Sequence, residues 1–418
     1  MTNWKEYKIE EICSKVTSGG TPNTRKEEYY GGSIPWVRTQ EVDFNRLYKT
    51  EIKITEEGLN NSSAKWIPEN SIIIAMYGAT AGKVAINKIP VTTNQACCNL
   101  IINKEKADYR FIYYNILSRF SSIANMAVGG AQQNLNAGMI KELPINLPDL
   151  PTQSAIAEIL SSLDDKIELN NKINQELENL AQTLFKQWFI DFEFPDENGN
   201  PYKSSGGEMV DSELGEIPKG WEVKRLKEIL TIKRGGSPRP IQDFIAKSGL
   251  PWVKISDATA IKSPFLFSTK EFIKPEGLKK TVLMKKGSLV LSNSATPGLP
   301  IFLELDACIH DGWLHFQDIK NLTYNFLYLF FLTIREDLIG QGNGSIFVNL
   351  KTDILKEYRT SIPNANLITK FENIVGPIFQ SIKDNSKEII ELTNLRDIIL
   401  PKLISGELEV AEVMSQKA

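Results

Sequence analysis

From Ile156 to Trp188 one line of positions returns at alternating steps of four and three. The line is Ile156, Leu160, Leu163, Ile167, Asn170, Asn174, Leu177, Ala181, Leu184 and Trp188. This is the a/d seam of a coiled coil, narrower than the stripe of a helix lying on a globule. Adding 215 to each number gives Phe371, Val375, Ile378, Ile382, Asn385, Ile389, Leu392, Arg396, Ile399 and Leu403. Asn170 and Asn385 take equivalent places, where a polar residue gives up stability and fixes register. At ~1.5 Å per residue, Ile156 to Leu184 spans roughly 42 Å. Two packings satisfy the pattern: each helix on its own globular half, or the two helices on each other. A strict seam over three to four heptads favours the pair. In a tandem duplication that pair is most simply antiparallel, giving a pseudo-twofold molecule with a globule at each end.

The duplication extends beyond the helices. Trp4–Ile12 returns as Trp221–Ile229, Gly19-Gly-Thr-Pro22 as Gly235-Gly-Ser-Pro238, and Ile34-Pro-Trp-Val-Arg38 as Leu250-Pro-Trp-Val-Lys254. Ala79–Gly82 matches Ala295–Gly298, and Tyr109–Tyr113 matches Tyr324–Tyr328. A near-constant offset over five blocks marks one unit of about 210 residues written twice. Short apolar runs such as Ser71–Met76 and Ala96–Ile102 read as buried strands, with a helix expected over Tyr109–Met126 and its copy over Tyr324–Ile339. The fold class is therefore α+β, two similar globular domains in tandem, each followed by a long helix. The expected boundaries are 1–150 and 221–363 for the globular domains, and 151–194 and 364–410 for the helical regions. A linker at 195–220 and a tail at 411–418 complete the chain. Pro148, Pro151 and Pro363 mark the helix starts, and seven Gly or Pro fall within Asp196–Gly220.

Composition narrows the class. The 418 residues are 42% hydrophobic and 24% charged, values of folded protein with real cores. No run approaches ~18 consecutive apolar residues, and the first residues carry no apolar leader, so neither a membrane span nor a signal peptide is expected. Cys13, Cys97, Cys98 and Cys308 form no CxxC, which removes a zinc ribbon or disulfide scaffold and fits a cytoplasmic protein. His310 and His315 are the only histidines, five apart, so no metal site is expected. The net charge of −3 is uneven: +2 over 1–150, −9 over 151–220, +6 over 221–363 and −2 over 364–418. Positive globules permit nucleic-acid contact without demanding it.

Catalytic patterns fail on inspection. Gly78-Ala-Thr-Ala-Gly-Lys83 has one residue too few for a phosphate loop, Val84 stands where a Mg²⁺-holding hydroxyl belongs, and Leu299 replaces Lys83 in the second copy. It reads as a tight turn. Asp43, Glu51 and Lys53 imitate a metal-dependent nuclease trio that the second copy lacks. There is no Asn-Pro-Pro-Tyr or Asp-Pro-Pro-Tyr for a flipped base, and no G-x-G-x-x-G opening a helix. What remains is loop chemistry suited to base edges and phosphates. Thr24, Arg25 and Lys26 follow the Gly-Gly-Thr-Pro turn, Arg38, Thr39 and Gln40 follow Ile-Pro-Trp-Val, and Gln132, Gln133 and Asn134 follow Gly129-Gly130. The second-half counterparts are Arg239, Lys254, Ser256 and Ser345. The frame residues repeat and these loop residues mostly do not.

Together, Trp4…Gly-Gly-Thr-Pro22…Ile-Pro-Trp36 with its repeat, Leu184-Phe-Lys-Gln-Trp-Phe-Ile-Asp-Phe-Glu193, and Leu400-Pro-Lys-Leu-Ile-Ser-Gly-Glu-Leu408 resemble the specificity subunits of type I restriction–modification systems. The resemblance covers nearly the whole chain. It implies two target-recognition domains, each reading one half of an asymmetric, bipartite duplex DNA target, and two long helices acting as an antiparallel spacer. It implies docking of two modification (methyltransferase) subunits on the helices and restriction subunits in the full complex. By the same resemblance, S-adenosylmethionine, ATP and Mg²⁺ belong to those partners, and this chain carries no cofactor and no active site. A scaffold that binds only proteins through its seam is the competing reading.

Overall fold

The computed structural model describes residues 4–128, 134–340 and 349–410. The chain divides into two compact units, one of residues 1–166 with 392–418, the other of residues 167–391. Each unit combines a globular domain with a stretch of both long helices.

In unit 1 a five-stranded sheet runs in the order Cys13–Ser18, Cys97–Ile102, Ile72–Ala75, Val84–Asn87, Asn45–Leu47. Ile72 and Ile74 face one side, in a core with Ile9, Leu100, Phe111 and Tyr114. Ile73 and Ala75 face the other, against Val37, Val42 and Leu47. A strand buried on both faces needs an unbroken apolar run, which is what this sequence shows. A second sheet holds Tyr30–Val37 between Ile52–Ile54 and Thr92–Thr93. Ile156 and Leu160 of the first long helix and Leu400 and Leu403 of the second complete the main core.

Unit 2 repeats the plan: Thr231–Arg234, Trp313–Gln317, Leu289–Ser292, Pro300–Leu303 and Phe265–Leu266 form its five-stranded sheet. A second sheet takes the order Ile245–Ala246, Glu271–Ile273, Leu250–Val253, Ala307–Ile309, Val282–Met284. The single helix expected in each domain is two. Tyr109–Ser118 and Phe120–Val128 are separated at Arg119, and Tyr324–Thr333 and Arg335–Gly340 at Ile334. Both breaks leave ψ near zero, outside helical geometry, at Arg119 (φ −105°, ψ 12°) and Ile334 (φ −88°, ψ 1°). Arg119 is tied down there, its guanidinium donating to Pro144 O at 2.6 Å.

The long helices run Leu150–Phe189 and Ala365–Ser405. Asp149 and Asn364 start them alike, their side chains accepting from Thr152 N and Leu367 N at 2.9 Å each. The first ends where Lys186 O accepts from both Ile190 N and Asp191 N, and Phe192 turns to φ +62°. The second ends at Gly406, with φ +75°.

The helices pack antiparallel. In unit 2, Asn170 donates to Glu388 (2.7 Å), Asn174 to Ser386 (3.2 Å), and Phe189 meets Phe371 with ring centroids 4.8 Å apart, so the partner's number falls as the first helix's rises. Asn385 donates to Asn174 Oδ1 at 2.9 Å. In unit 1, Arg396 donates to Asp164 at 2.7 Å, and the Tyr114 hydroxyl to the other oxygen at 2.6 Å.

Burial is wider than a two-position seam. Ile156, Leu160, Trp188, Phe371, Val375, Ile382 and Leu403 are buried, whereas Leu163, Ile167, Leu177, Leu184, Ile378, Ile389, Leu392 and Ile399 are half-buried. Phe185, Phe189 and Phe379, off the series, are buried beside them. Each helix stretch has two neighbours, the other helix and a domain core, so both packings read from the sequence hold together.

Candidate nucleic-acid interface

Strand pairing gathers the candidate loops at one end of each domain. Where Cys13–Ser18 ends and Cys97–Ile102 begins, the Gly19-Gly20 turn crosses the neighbouring loop, with Gly20 N donating to Thr93 O at 2.8 Å. A Cβ on Gly19 would stand 2.0 Å from Thr93 O, so only glycine permits this approach. Trp36, buried, donates its indole N–H to Gly20 O at 3.0 Å, and the Tyr30 hydroxyl donates to Pro22 O at 2.8 Å. The aromatic and proline residues of the repeated frame thus hold the turn. Asn94 N donates to Val37 O, Met76 N to Ala96 O, and Leu135 N to Met76 O, which brings the loops after Val37, before Cys97 and around Asn134 to the same edge.

Domain 2 builds the same edge. Gly236 N donates to Ile309 O and Gly235 N to Trp313 O, matching Gly20 to Thr93 and Gly19 to Cys97 at an offset of 216. A Cβ on Gly235 would lie 2.3 Å from His310 O. Asn293 N donates to Gly312 O and Leu350 N to Asn293 O, the counterparts of Met76 and Leu135.

The sequence-derived candidates fall into three groups. Thr24, Arg25 and Gln40 are exposed, and Asn134 and Ser256 likewise. Lys26, also exposed, donates to the Tyr29 hydroxyl at 3.0 Å. Arg38 and Lys254 are half-buried and held by ion pairs, to Glu51 at 2.7 Å and to Glu271 at 2.5 Å. Their backbone N–H groups are capped alike, by Glu41 and Asp257 at 2.9 Å each, and Thr39 lies half-buried beside Arg38. These two cations first brace their own loops, and a DNA contact by either must share it with a carboxylate. Arg239 is exposed and pairs with Asp311 at 3.2 Å. Gln132, Gln133 and Ser345 lie outside the described residues.

Sequence reading missed the loop that leads into Cys97–Ile102 and Trp313–Gln317, Asn94-Gln95-Ala96 and His310-Asp311-Gly312. Thr21 donates its hydroxyl to Gln95, and Ser237 donates to Asp311 at 2.7 Å. The Ser237 hydroxyl and the Arg239 charge hold the Asp311 carboxyl below the usual carboxylate range. Burial pushes the His310 imidazole below its ordinary value, with Asp311 acting against that shift. The two loops share no residue, and only their fixed distance from Cys97 and Trp313 marks them as equivalent.

The nuclease-like trio is not assembled: Asp43 accepts from Lys83 at 2.6 Å, Glu51 holds Arg38, and Lys53 points to solvent as an exposed residue. Among the described residues no group of three His, Cys, Asp or Glu is placed to hold a metal ion. The Gly78–Lys83 stretch is the tight turn expected, closed by Gly82 N donating to Ala75 O. No described helix is long and apolar enough to cross a membrane.

Two copies of one loop-bearing α+β domain on paired helices define a class. The model of the type I restriction modification DNA specificity domain matches residues 1–179 and again 218–390, and the chain belongs to this family. It is a type I restriction–modification specificity subunit with two DNA-specificity domains. It is 30% identical to the type I restriction enzyme MjaIX specificity subunit of Methanocaldococcus jannaschii, over 98% of this chain and 95% of that one. The HindI specificity subunit of Haemophilus influenzae is 24% identical, over 98% and 100%. The fold matches the crystal structure of a type I restriction–modification S subunit from M. genitalium with a TM-score of 0.59, 19% identity and 96% of each chain covered.

Proposed function

We propose that each domain reads one half of a split, asymmetric duplex target through the loop edge described above, and that the chain does so without an active site of its own. One observation carries this reading. The backbone contacts of the edge repeat in both domains while the polar residues they display differ, Thr24-Arg25-Lys26 and Gln40 in one, Arg239 and Ser256 in the other. A shared frame with different side chains is what two readers of different base sequences require. Phosphate contact then positions each domain and the loops specify.

The long helices are the docking surface for modification subunits in this reading. Leu169, Ile173 and Leu180 of the first and Ile390, Leu395 and Ile398 of the second are large apolar residues left exposed, Ile398 by 61%. Leu169 and Ile173 stand four apart and Leu395 and Ile398 three apart, so each pair shares one face of its helix. Adjacent apolar groups left in solvent support a partner there. S-adenosylmethionine, ATP and Mg²⁺ are assigned to the partners.

The test is selection from random duplex DNA by the chain co-purified with its modification subunit at near-physiological salt. A split motif with a fixed gap is the expected result. A stable complex that selects no motif would transfer the weight to a protein-only scaffold.

A further inference from the structure

The loop at residues 94–96 and 310–312 differs in charge between two otherwise matched edges. The hydroxyl of the Gly-Gly-[Thr/Ser]-Pro turn aims an amide, Gln95, in domain 1 and a carboxylate, Asp311, in domain 2. A carboxylate on a surface that approaches DNA repels phosphate unless it serves a cation. Asp311 does. Its Oδ1 accepts from Ser237 and its Oδ2 pairs with Arg239, while its backbone oxygen accepts from the Arg234 guanidinium and from Asn293 Nδ2 at 3.2 Å. Asp311 is thus fixed through its carboxylate by Ser237 and through its backbone oxygen by Arg234 and Asn293, and the group it holds is not. The Arg239 side chain is 75% exposed and gives Asp311 one nitrogen, Nη2, which leaves the other nitrogens of its planar fork toward solvent. Domain 1 has Asn23 in the place of Arg239 and so lacks the pair.

An exposed arginine ordinarily loses rotamer freedom on binding, and a carboxylate that holds one edge of the fork removes part of that loss in advance. A fork braced in this way presents two parallel N–H groups, the arrangement that matches guanine O6 and N7 in the major groove. We propose that Arg239 reads one guanine in the half-site of domain 2, with Asp311 as the positioning residue that makes the contact bidentate. The proposal rests on the DNA-reading function above.

The test compares the unaltered complex, Asp311→Asn, Arg239→Ala and Arg239→Lys, each with the modification subunit, by selection and by competition among duplexes changed at single positions. Arg239→Ala should cut the preference for guanine at one position of one half-site about 5- to 150-fold, the range of a bidentate pair. Arg239→Lys keeps the charge and should lose the same preference. Asp311→Asn, nearly isosteric, should weaken that preference about 2- to 12-fold, the range for one immobilised side chain, and leave the base preference at every other position unchanged. A loss spread evenly over all positions would make Arg239 a phosphate contact and overturn the proposal. So would unchanged selectivity in Asp311→Asn with its thermal stability intact. If the unaltered complex selects no motif, the DNA-reading function itself fails, an outcome visible before any variant is made.

Discussion

The two domains hold one backbone frame with different fillings. Ile86 of domain 1 stands where domain 2 has Phe302, Leu100 where it has Phe316, and Ile116 where it has Phe331. In the other direction Tyr114, buried in domain 1, is replaced by Leu329. Volumes are exchanged within each core while the strand order of the main five-stranded sheet and the hydrogen bonds under the loops stay the same. Close packing requires that a core be filled and permits more than one way of filling it. The frame is therefore set by backbone pairing and a few fixed residues, namely the Gly-Gly turn, Trp36 or Trp252, and the capping carboxylates Glu41 or Asp257. The displayed side chains are free to differ.

The largest effects should fall where each domain's core meets the helices. Phe371 packs on Phe185, Trp188 and Phe189, so Phe371→Ala should cost about 3–5 kcal/mol and unfold unit 2 first. In unit 1, Asp164 accepts from both Arg396 and Tyr114, and Asp164→Ala should cost about 3 kcal/mol by leaving a shielded guanidinium without that partner. Chemical denaturation followed through tryptophan separates the two, since Trp4, Trp36 and Trp66 report unit 1 and Trp188, Trp221, Trp252 and Trp313 report unit 2. Equal loss in both units from either change would break the picture of two separately filled cores.

An intermediate effect is expected from the paired glycines. Gly19→Ala should weaken use of one half-site and Gly235→Ala the other, each by about tenfold or more, ~1.4 kcal/mol, since both Cβ atoms would strike a backbone oxygen. Competition between duplexes mutated in a single half-site measures this, and equal loss at both half-sites would contradict independent edges.

The smallest effect is the most selective. Both histidines lie in domain 2, at the places of Asn94 and Asn99 in domain 1, and burial lowers both below the ordinary value. The unfolded chain takes up protons near pH ~6.5 that the folded domain refuses. Domain 2 should keep its full stability above that pH and lose stability as the pH falls through and below it, whereas domain 1 has no histidine to respond. Melting curves between pH 7.5 and about 5 should show the loss in unit 2, and His310→Asn with His315→Asn should remove it. A matching loss in unit 1 would assign the effect elsewhere.

Much of this arrangement was legible in the sequence because it is periodic. The repeat offsets gave the two domains, the steps of four and three gave two helices with a pairing seam, and the tandem duplication made antiparallel pairing the simplest arrangement. The glycine turns were legible as frame, though not the carbonyls that require them. Local signals did not reveal the breaks at Arg119 and Ile334, which depend on tertiary contacts of residues compatible with helix. The loop at Gln95 and Asp311 was invisible for another reason: its two copies share no residue, and strand register alone makes them equivalent. Arg38 and Lys254 looked like free readers because their partners, Glu51 and Glu271, come from a neighbouring strand.

Leu400, Leu403 and Ile404 share a core with Ile9 and Ile12. Domain 1 is thus closed by residues that follow the whole of domain 2 along the chain. Until the second domain and most of its helix have been synthesised, the nascent amino-terminal half carries an open apolar face. A stop codon just after residue 391 would leave unit 2 whole in sequence and strip unit 1 of part of its interior. A change beyond residue 391 would be felt in the core around Ile9 and Ile12.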